Sequence, residues 1–232
     1  MNPLILALDT DDLDIACQWI EATSDSISTY KAGLEFFLKF GEPGIAKLRT
    51  AGDFDLFLDL KLHDIPNTVA GAAASISGIS PKFLTVHASG GSAMINAAAT
   101  AVPHVSITAV TILTSLSGSD LSEIGYSGSP LDAAIGLADL AVKAGAKAIV
   151  SSPLEVAGIR DRIGQNPAII TPGVRPAGSA SGDQMRVMTP KEAMKAGSTY
   201  LVIGRPITSL YSSGLDAMSE KAKQILDDAT SS

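Results

Sequence analysis

The sequence predicts an α/β chain folded as a closed (β/α)8 barrel, with residues 1–232 forming one domain. Three observations carry this expectation. Strand-like runs alternate with helical patterns, which implies a parallel sheet. The strand-plus-helix unit recurs roughly every thirty residues, enough for eight repeats. No Pro/Ser-rich linker separates two halves. An open doubly wound sheet shares the first of these features and is the alternative architecture.

The first strand is LILALD, where Leu4, Leu6 and Leu8 alternate with Ile5, Ala7 and Asp9. Side chains two apart on a strand share a face, so one face is all leucine and the other ends in a carboxylate. DDLDIACQWIEA follows with apolar residues at helical spacing, and SISTYKA is the second strand, finishing near Lys31. The third run, FDLFLDLK, repeats the pattern of the first. Leu56, Leu58, Leu60 and Leu62 occupy one face, and Phe57, Asp59, Lys61 and His63 the other. PNTVAGAAASI is helical, FLTVHA is the fourth strand, and SAMINAAATAV is helical again. VSITAVTIL is the fifth strand, LDAAIGLADLAVKAG a helix ending on Gly, and AKAIVSS the sixth strand. AIITPG is the seventh, TPKEAMKAG the next helix, and TYLVIG the eighth strand.

Composition limits the classes of function. With 46% apolar and 18% charged residues, 232 residues can bury a sizeable core. Seventeen basic against 24 acidic residues leave a net charge of −7, which disfavours broad attraction to nucleic acid but permits a small anion held by a local cluster of cations. Cys17 is the single cysteine, so no intrachain disulfide is expected and a reducing, cytoplasmic setting fits best. MNPLILALDT lacks the basic start of an export signal, and the apolar runs fall short of a membrane span.

In a barrel the leucine faces would pack on the outer helices, and the charged residues would point inward at the C-terminal strand ends, where barrel enzymes place their chemistry. Taken alone, Asp59 and Lys61 also fit a solvated strand face. Asp9, Lys31, Asp59 and Lys61 together are two anions and two cations stopping three strands at one rim, where they would satisfy one another. Asp64 lies past its strand end before Ile65-Pro66, either as a helix cap or as a loop residue facing away from its own barrel.

Barrels often hold phosphate with the loops after strands seven and eight. Here those loops are TPGVRPAGSASGDQ and IGRPIT, both with glycine and arginine. Arg205 beside Gly204 offers a bidentate fork next to backbone amides, or is a surface arginine after a turn. Pro172 to Gln184 is long and rich in Gly, Ser, Ala and Pro, the composition of a lid or of a functionless loop; Arg175 sits near its base and Gln184 at its far edge. Thr114 either hydrogen-bonds a heterocycle or caps a turn. His87 reads as a rim histidine rather than a base, His104 follows Pro103 in a turn, and His63 has no second metal-type ligand at suitable spacing. The absence of HxxxH, CxxC, P-loop and GxGxxG patterns leaves zinc chemistry, nucleotide hydrolysis and dinucleotide binding without support.

The segment DLKLHDIPNT resembles the signature of the orotidine 5'-phosphate decarboxylase family. LALD, YKAG, VTILTS, PGVRP with DQ, and IGRPIT extend the resemblance along essentially the whole chain. DxKxxD is shared with magnesium-dependent sugar-phosphate decarboxylases and synthases of the same superfamily. Lys31 in YKAG and the HDIPNT continuation are the features that separate this chain from them.

The resemblance implies decarboxylation of orotidine monophosphate to uridine monophosphate and carbon dioxide in pyrimidine biosynthesis, with no cofactor and no metal. It implies that Asp9 and Lys31 bind ribose hydroxyls, Lys31 also supporting Asp59 against the substrate carboxylate. Lys61 would be the proton donor. Asp64, with Ile65 and Thr68, would enter the site of a neighbouring subunit in a homodimer. Thr114 would contact the pyrimidine, and Gln184 would bridge base and phosphate. Arg205 would hold the phosphate with Gly204 and Arg175, and Pro172 would bind substrate at the base of the lid. A non-catalytic nucleotide-binding barrel is the rival from another class, and the Asp59, Lys61 and Asp64 set argues against it.

Overall fold

All eight expected strands are present in a computed structural model of the chain, which describes residues 2–176 and 188–231. They are β1 (Leu4–Ala7), β2 (Thr29–Gly33), β3 (Asp55–Leu62), β4 (Phe83–His87), β5 (Ser106–Val110), β6 (Ala148–Val150), β7 (Ala168–Thr171) and β8 (Tyr200–Ile203). Each pairs in parallel with its successor, and β1 pairs with β8, so the sheet closes into a barrel. Closure decides against the open sheet.

The helices that return the chain are α1 (Leu13–Thr23), α2 (Leu34–Arg49), α3 (Pro66–Ser75), α4 (Gly91–Ala101), α5 (Gly118–Glu123), α6 (Pro130–Lys143), α7 (Val156–Ile163), α8 (Pro190–Lys195), α9 (Arg205–Thr208) and α10 (Leu215–Thr230). Their starts follow local chemistry. Asp12 accepts from the Asp14 and Ile15 amides to open α1, while Ser129 with Asp132 and Thr189 with Glu192 form reciprocal caps just ahead of Pro130 and Pro190. Within α2 the backbone breaks at Gly41, where φ is +57°, two residues before Pro43. Proline has no amide to donate and its ring clashes with the preceding turn, so the segment folds as two shorter helices. Among the described residues no helix is long and apolar enough to cross a membrane.

Two apolar layers follow from strand parity. Leu4, Leu6, Leu56, Leu58, Leu84 and Ile169 face the helices, whereas Ile5, Ala7, Phe57, Phe83, Ile170 and Tyr200 fill the barrel. A parallel strand covered on both faces needs apolar residues at both parities, which explains the continuous apolar runs. Inside, the Phe83 ring meets Phe57 and Tyr200 edge-on, with centroids 5.8 and 5.4 Å apart. Phe83 and Tyr200 begin their strands, so this cluster packs the interior from below. The charged residues lie at the other end.

Candidate active site

The expected rim array forms at the C-terminal ends of β1, β2 and β3. The Lys31 Nζ lies 3.3 Å from Asp9 Oδ1 and 3.4 Å from Asp59 Oδ2, and the Lys61 Nζ lies 2.8 Å from Asp59 Oδ1. Cations and carboxylates therefore alternate along one chain of contacts. The Asp59 and Lys31 side chains are largely buried, while Asp9 remains open to solvent. Gly33 leaves room for this arrangement, because a Cβ there would come within 3.1 Å of the Lys31 ammonium.

Burial opposes ionisation in this array, and the contacts overcome it. Desolvation by itself would raise the Asp59 carboxyl, but the Lys31 and Lys61 charges and the hydrogen bonds from Lys61 and Thr85 hold it below the usual carboxylate range. Desolvation would lower the Lys31 ammonium, and the Asp59 and Asp9 carboxylates raise it instead. Because the folded value of Asp59 is depressed, its stabilising contribution is complete above the unfolded value of about 3.9 and is lost as pH falls through the folded value. Lys31 has the opposite sign: its contribution is complete below about 10.4 and is lost as pH rises through its higher folded value. Asp59→Asn should lower the urea midpoint at neutral pH, and the gap to wild type should close as pH falls below about 4. Parallel midpoint curves from pH 7 to pH 3 would contradict this coupling.

The backbone of β3 departs from a regular strand between the two charged residues. Phe57 and Leu58 pair with Phe83 and Leu84, but the next pairing is Leu62 with Val86, so β3 advances four residues while β4 advances two. Within this bulge Lys61 has φ of +49°, a left-handed conformation that costs a side-chain-bearing residue about 1–3 kcal/mol. Thr85 takes up the displaced backbone. Its Oγ1 accepts from the Lys61 amide at 2.8 Å and donates to Asp59 Oδ1 at 3.0 Å. Sequence reasoning missed Thr85, although its inward parity in FLTVH between Phe83 and His87 was a usable signal.

Beside the array opens a cavity of about 320 Å³, within the range of small-molecule sites. Asp9, Lys31, Asp59 and Lys61 line one side, and Thr114, Pro172, Arg175, Gly204 and Arg205 also border it. Val110, Ile112, Val150 and Val202 supply an apolar wall that the sequence reading did not single out. Arg175 is held below its ordinary value, first by burial and then by the nearby Arg205 charge, so two guanidinium groups share this region. Gly173, two residues before Arg175, has φ of +78°, a backbone conformation that favours glycine.

Other expected site residues lie apart from the cavity. Asp64, Ile65 and Thr68 are exposed and do not line it. The Asp64 Oδ1 accepts from the adjacent Ile65 amide at 2.6 Å, and the first turn of α3 has no side-chain cap, so the capping role is not realised. Gln184 and the middle of the expected lid, Ala177 to Ser181, lie outside the described residues. His87 is a rim histidine, its ring 5.5 Å from that of His63. Burial lowers its pKa, and His63 and Lys61 lower it further against the pull of Asp59.

A parallel barrel with paired ions and a cation-bordered cavity at the C-terminal mouth has the architecture of a barrel enzyme acting on a small molecule. A profile of the "Orotidine 5'-phosphate decarboxylase / HUMPS family" matches residues 2–213, and the chain belongs to this family. A protein from Thermobifida fusca named orotidine 5'-phosphate decarboxylase is 52% identical over 206 residues, covering 89% of this chain and 88% of that protein. One of the same name from Frankia casuarinae is 47% identical over 232 residues, 93% of this chain and 85% of its own. The crystal structure of orotidine 5'-phosphate decarboxylase from Lactobacillus acidophilus superposes with a TM-score of 0.85 at 33% identity, covering 100% of both chains.

Proposed function

We propose that this chain decarboxylates orotidine 5'-monophosphate to uridine 5'-monophosphate and carbon dioxide, without a metal or cofactor. The observation that carries this reading is the Asp9–Lys31–Asp59–Lys61 array on the cavity wall. The bond from C6 of the pyrimidine to its carboxylate breaks heterolytically, and the electron pair remains on C6. No adjacent carbonyl delocalises that pair, so a fixed ammonium must stabilise it as it forms. Lys61 supplies the ammonium, passes a proton to C6, and regains one from solvent after product leaves.

The neighbouring groups orient this lysine. Asp59 binds the ammonium through Oδ1 while Lys31 engages its other oxygen, so the carboxylate is fixed at both ends. Asp9 and Lys31 also bind the ribose hydroxyls, Thr114 contacts the pyrimidine, and Arg205 with Gly204 and Arg175 receives the phosphate. Pro172 and Gln184 complete the substrate contacts from the lid. Phosphate binding far from C6 can be used to order the site, which matters because enzymes lower barriers by about 8–23 kcal/mol and one lysine does not supply that range. The chain acts as a homodimer in the cytoplasm, within pyrimidine biosynthesis, with Asp64, Ile65 and Thr68 entering the partner's site.

The family's breadth supplies a second reading, a magnesium-dependent sugar-phosphate decarboxylase or aldolase. Lys31 weighs against it, because its ammonium already lies between the Asp9 and Asp59 carboxylates that would otherwise attract a cation. The loss of orotidine monophosphate absorbance, followed with and without a strong chelator, separates the two. Equal rates in both are expected. Turnover abolished by chelator and restored by magnesium would defeat the metal-free reading, and no turnover in either would defeat the decarboxylase assignment.

A further inference from the structure

We propose that Thr85 is a positioning residue that holds the Lys61 ammonium at its working place by bracing both its backbone and its counter-ion. This rests on the decarboxylase reading above, in which the position of that ammonium determines the rate. Thr85 is fully buried in β4, and its single hydroxyl has two partners in the bulge: it receives the Lys61 amide at 2.8 Å and donates to Asp59 Oδ1 at 3.0 Å. Asp59 Oδ1 is also the atom that accepts from Lys61 Nζ at 2.8 Å. One hydroxyl therefore closes a ring that ties the main chain of Lys61, through Asp59, to the tip of the same side chain.

The ring explains how the left-handed Lys61 backbone persists. Where β3 bulges, the regular pairing with β4 lapses between Leu58 and Leu62, and the Lys61 amide would lose its ladder partner. A buried amide needs a substitute acceptor, and the threonine hydroxyl provides one. With a methyl in its place, Lys61 would lose the hydrogen bond that favours φ of +49°, and Asp59 would lose a donor that fixes its carboxylate plane. The ammonium would then occupy a spread of positions rather than one, and misplacement by about an ångström is enough to cost orders of magnitude in rate. The hydroxyl's two partners are the Lys61 amide and Asp59 Oδ1, whereas Lys31 holds the other Asp59 oxygen and keeps its own contact with Asp9.

The test compares Thr85→Val, which keeps the shape and removes the hydroxyl, with Thr85→Ser, which keeps the hydroxyl. Turnover of orotidine monophosphate and calorimetric binding of uridine monophosphate are both measured. For Thr85→Val, kcat should fall about 10- to 100-fold, as expected for loss of a hydrogen bond to a charged group. Its uridine monophosphate Kd should stay within about threefold of wild type, and Thr85→Ser should regain most of kcat. Unchanged kcat in Thr85→Val, a serine variant as slow as the valine one, or parallel loss of kcat and product binding would each overturn the positioning role. Should Thr85→Val fail to fold, Thr85→Ala against Thr85→Ser is read by the same criteria. A wild-type chain inactive on orotidine monophosphate would instead defeat the decarboxylase reading. The brace is then tested in crystals, where Thr85→Val should displace the Lys61 ammonium and an unmoved one would overturn the inference.

Discussion

Lys61→Ala should reduce kcat for orotidine monophosphate by at least about a thousandfold, while uridine monophosphate still binds within about tenfold of wild type. The two outcomes separate because Lys61 belongs to the array, whereas Arg175, Gly204 and Arg205 border the same cavity from other strand ends. A thousandfold loss corresponds to about 4 kcal/mol of transition-state stabilisation, a plausible sum for electrostatic support and proton donation by one group. Folding should survive the change, because Asp59 keeps its contact with Lys31 and its hydrogen bond from Thr85. Single-turnover kinetics together with product binding would check the prediction. A variant that retains more than a few per cent of wild-type kcat would remove Lys61 from the chemistry.

The sequence revealed the barrel and the array because both rest on strand parity. Leucines at every second position of the first and third runs assign those faces to the helices, and this alone turns Asp9, Asp59 and Lys61 toward the mouth. Parity reasoning assumes an unbroken strand, however, and β3 is broken at the residue proposed to act. The bulge cannot be read from DLFLDLKL, since its cause lies in the pairing with β4 rather than in any local glycine or proline. Thr85 went unnoticed for the same reason. A threonine on a strand is unremarkable until its hydroxyl is seen between a displaced amide and a carboxylate. The apolar wall of Val110, Ile112, Val150 and Val202 was hidden differently, because valine and isoleucine at strand ends look the same whether they meet substrate or core. Asp64 marks a third limit: it is exposed and does not line the cavity of its own chain, so a role proposed for it in a partner's site has no convergence to reveal it here.

Asp64 and Ile65 are exposed beside the rim, Ile65 with 67% of its surface open, and neither lines the cavity of its own chain. An exposed isoleucine next to a carboxylate whose observed partner is the neighbouring amide suits a surface that is buried on dimerisation. If Asp64 completes the partner's array, Lys61→Ala and Asp64→Ala homodimers should each be nearly inactive, yet a mixture should recover activity. In the hybrid, one site takes Lys61 from the Asp64→Ala chain and Asp64 from the Lys61→Ala chain, both intact, while the other site carries both lesions. Random exchange yields about half hybrids, so roughly a quarter of native sites should return if the lesions act independently across the interface. The titration is made by mixing the two variants under conditions that exchange subunits, counting hybrids by native mass spectrometry, and measuring kcat per hybrid. Recovery proportional to hybrid content would establish a shared site. Hybrids present in the expected proportion without any recovered turnover would mean that Asp64 acts within its own chain, and the dimer would then need a reason other than catalysis.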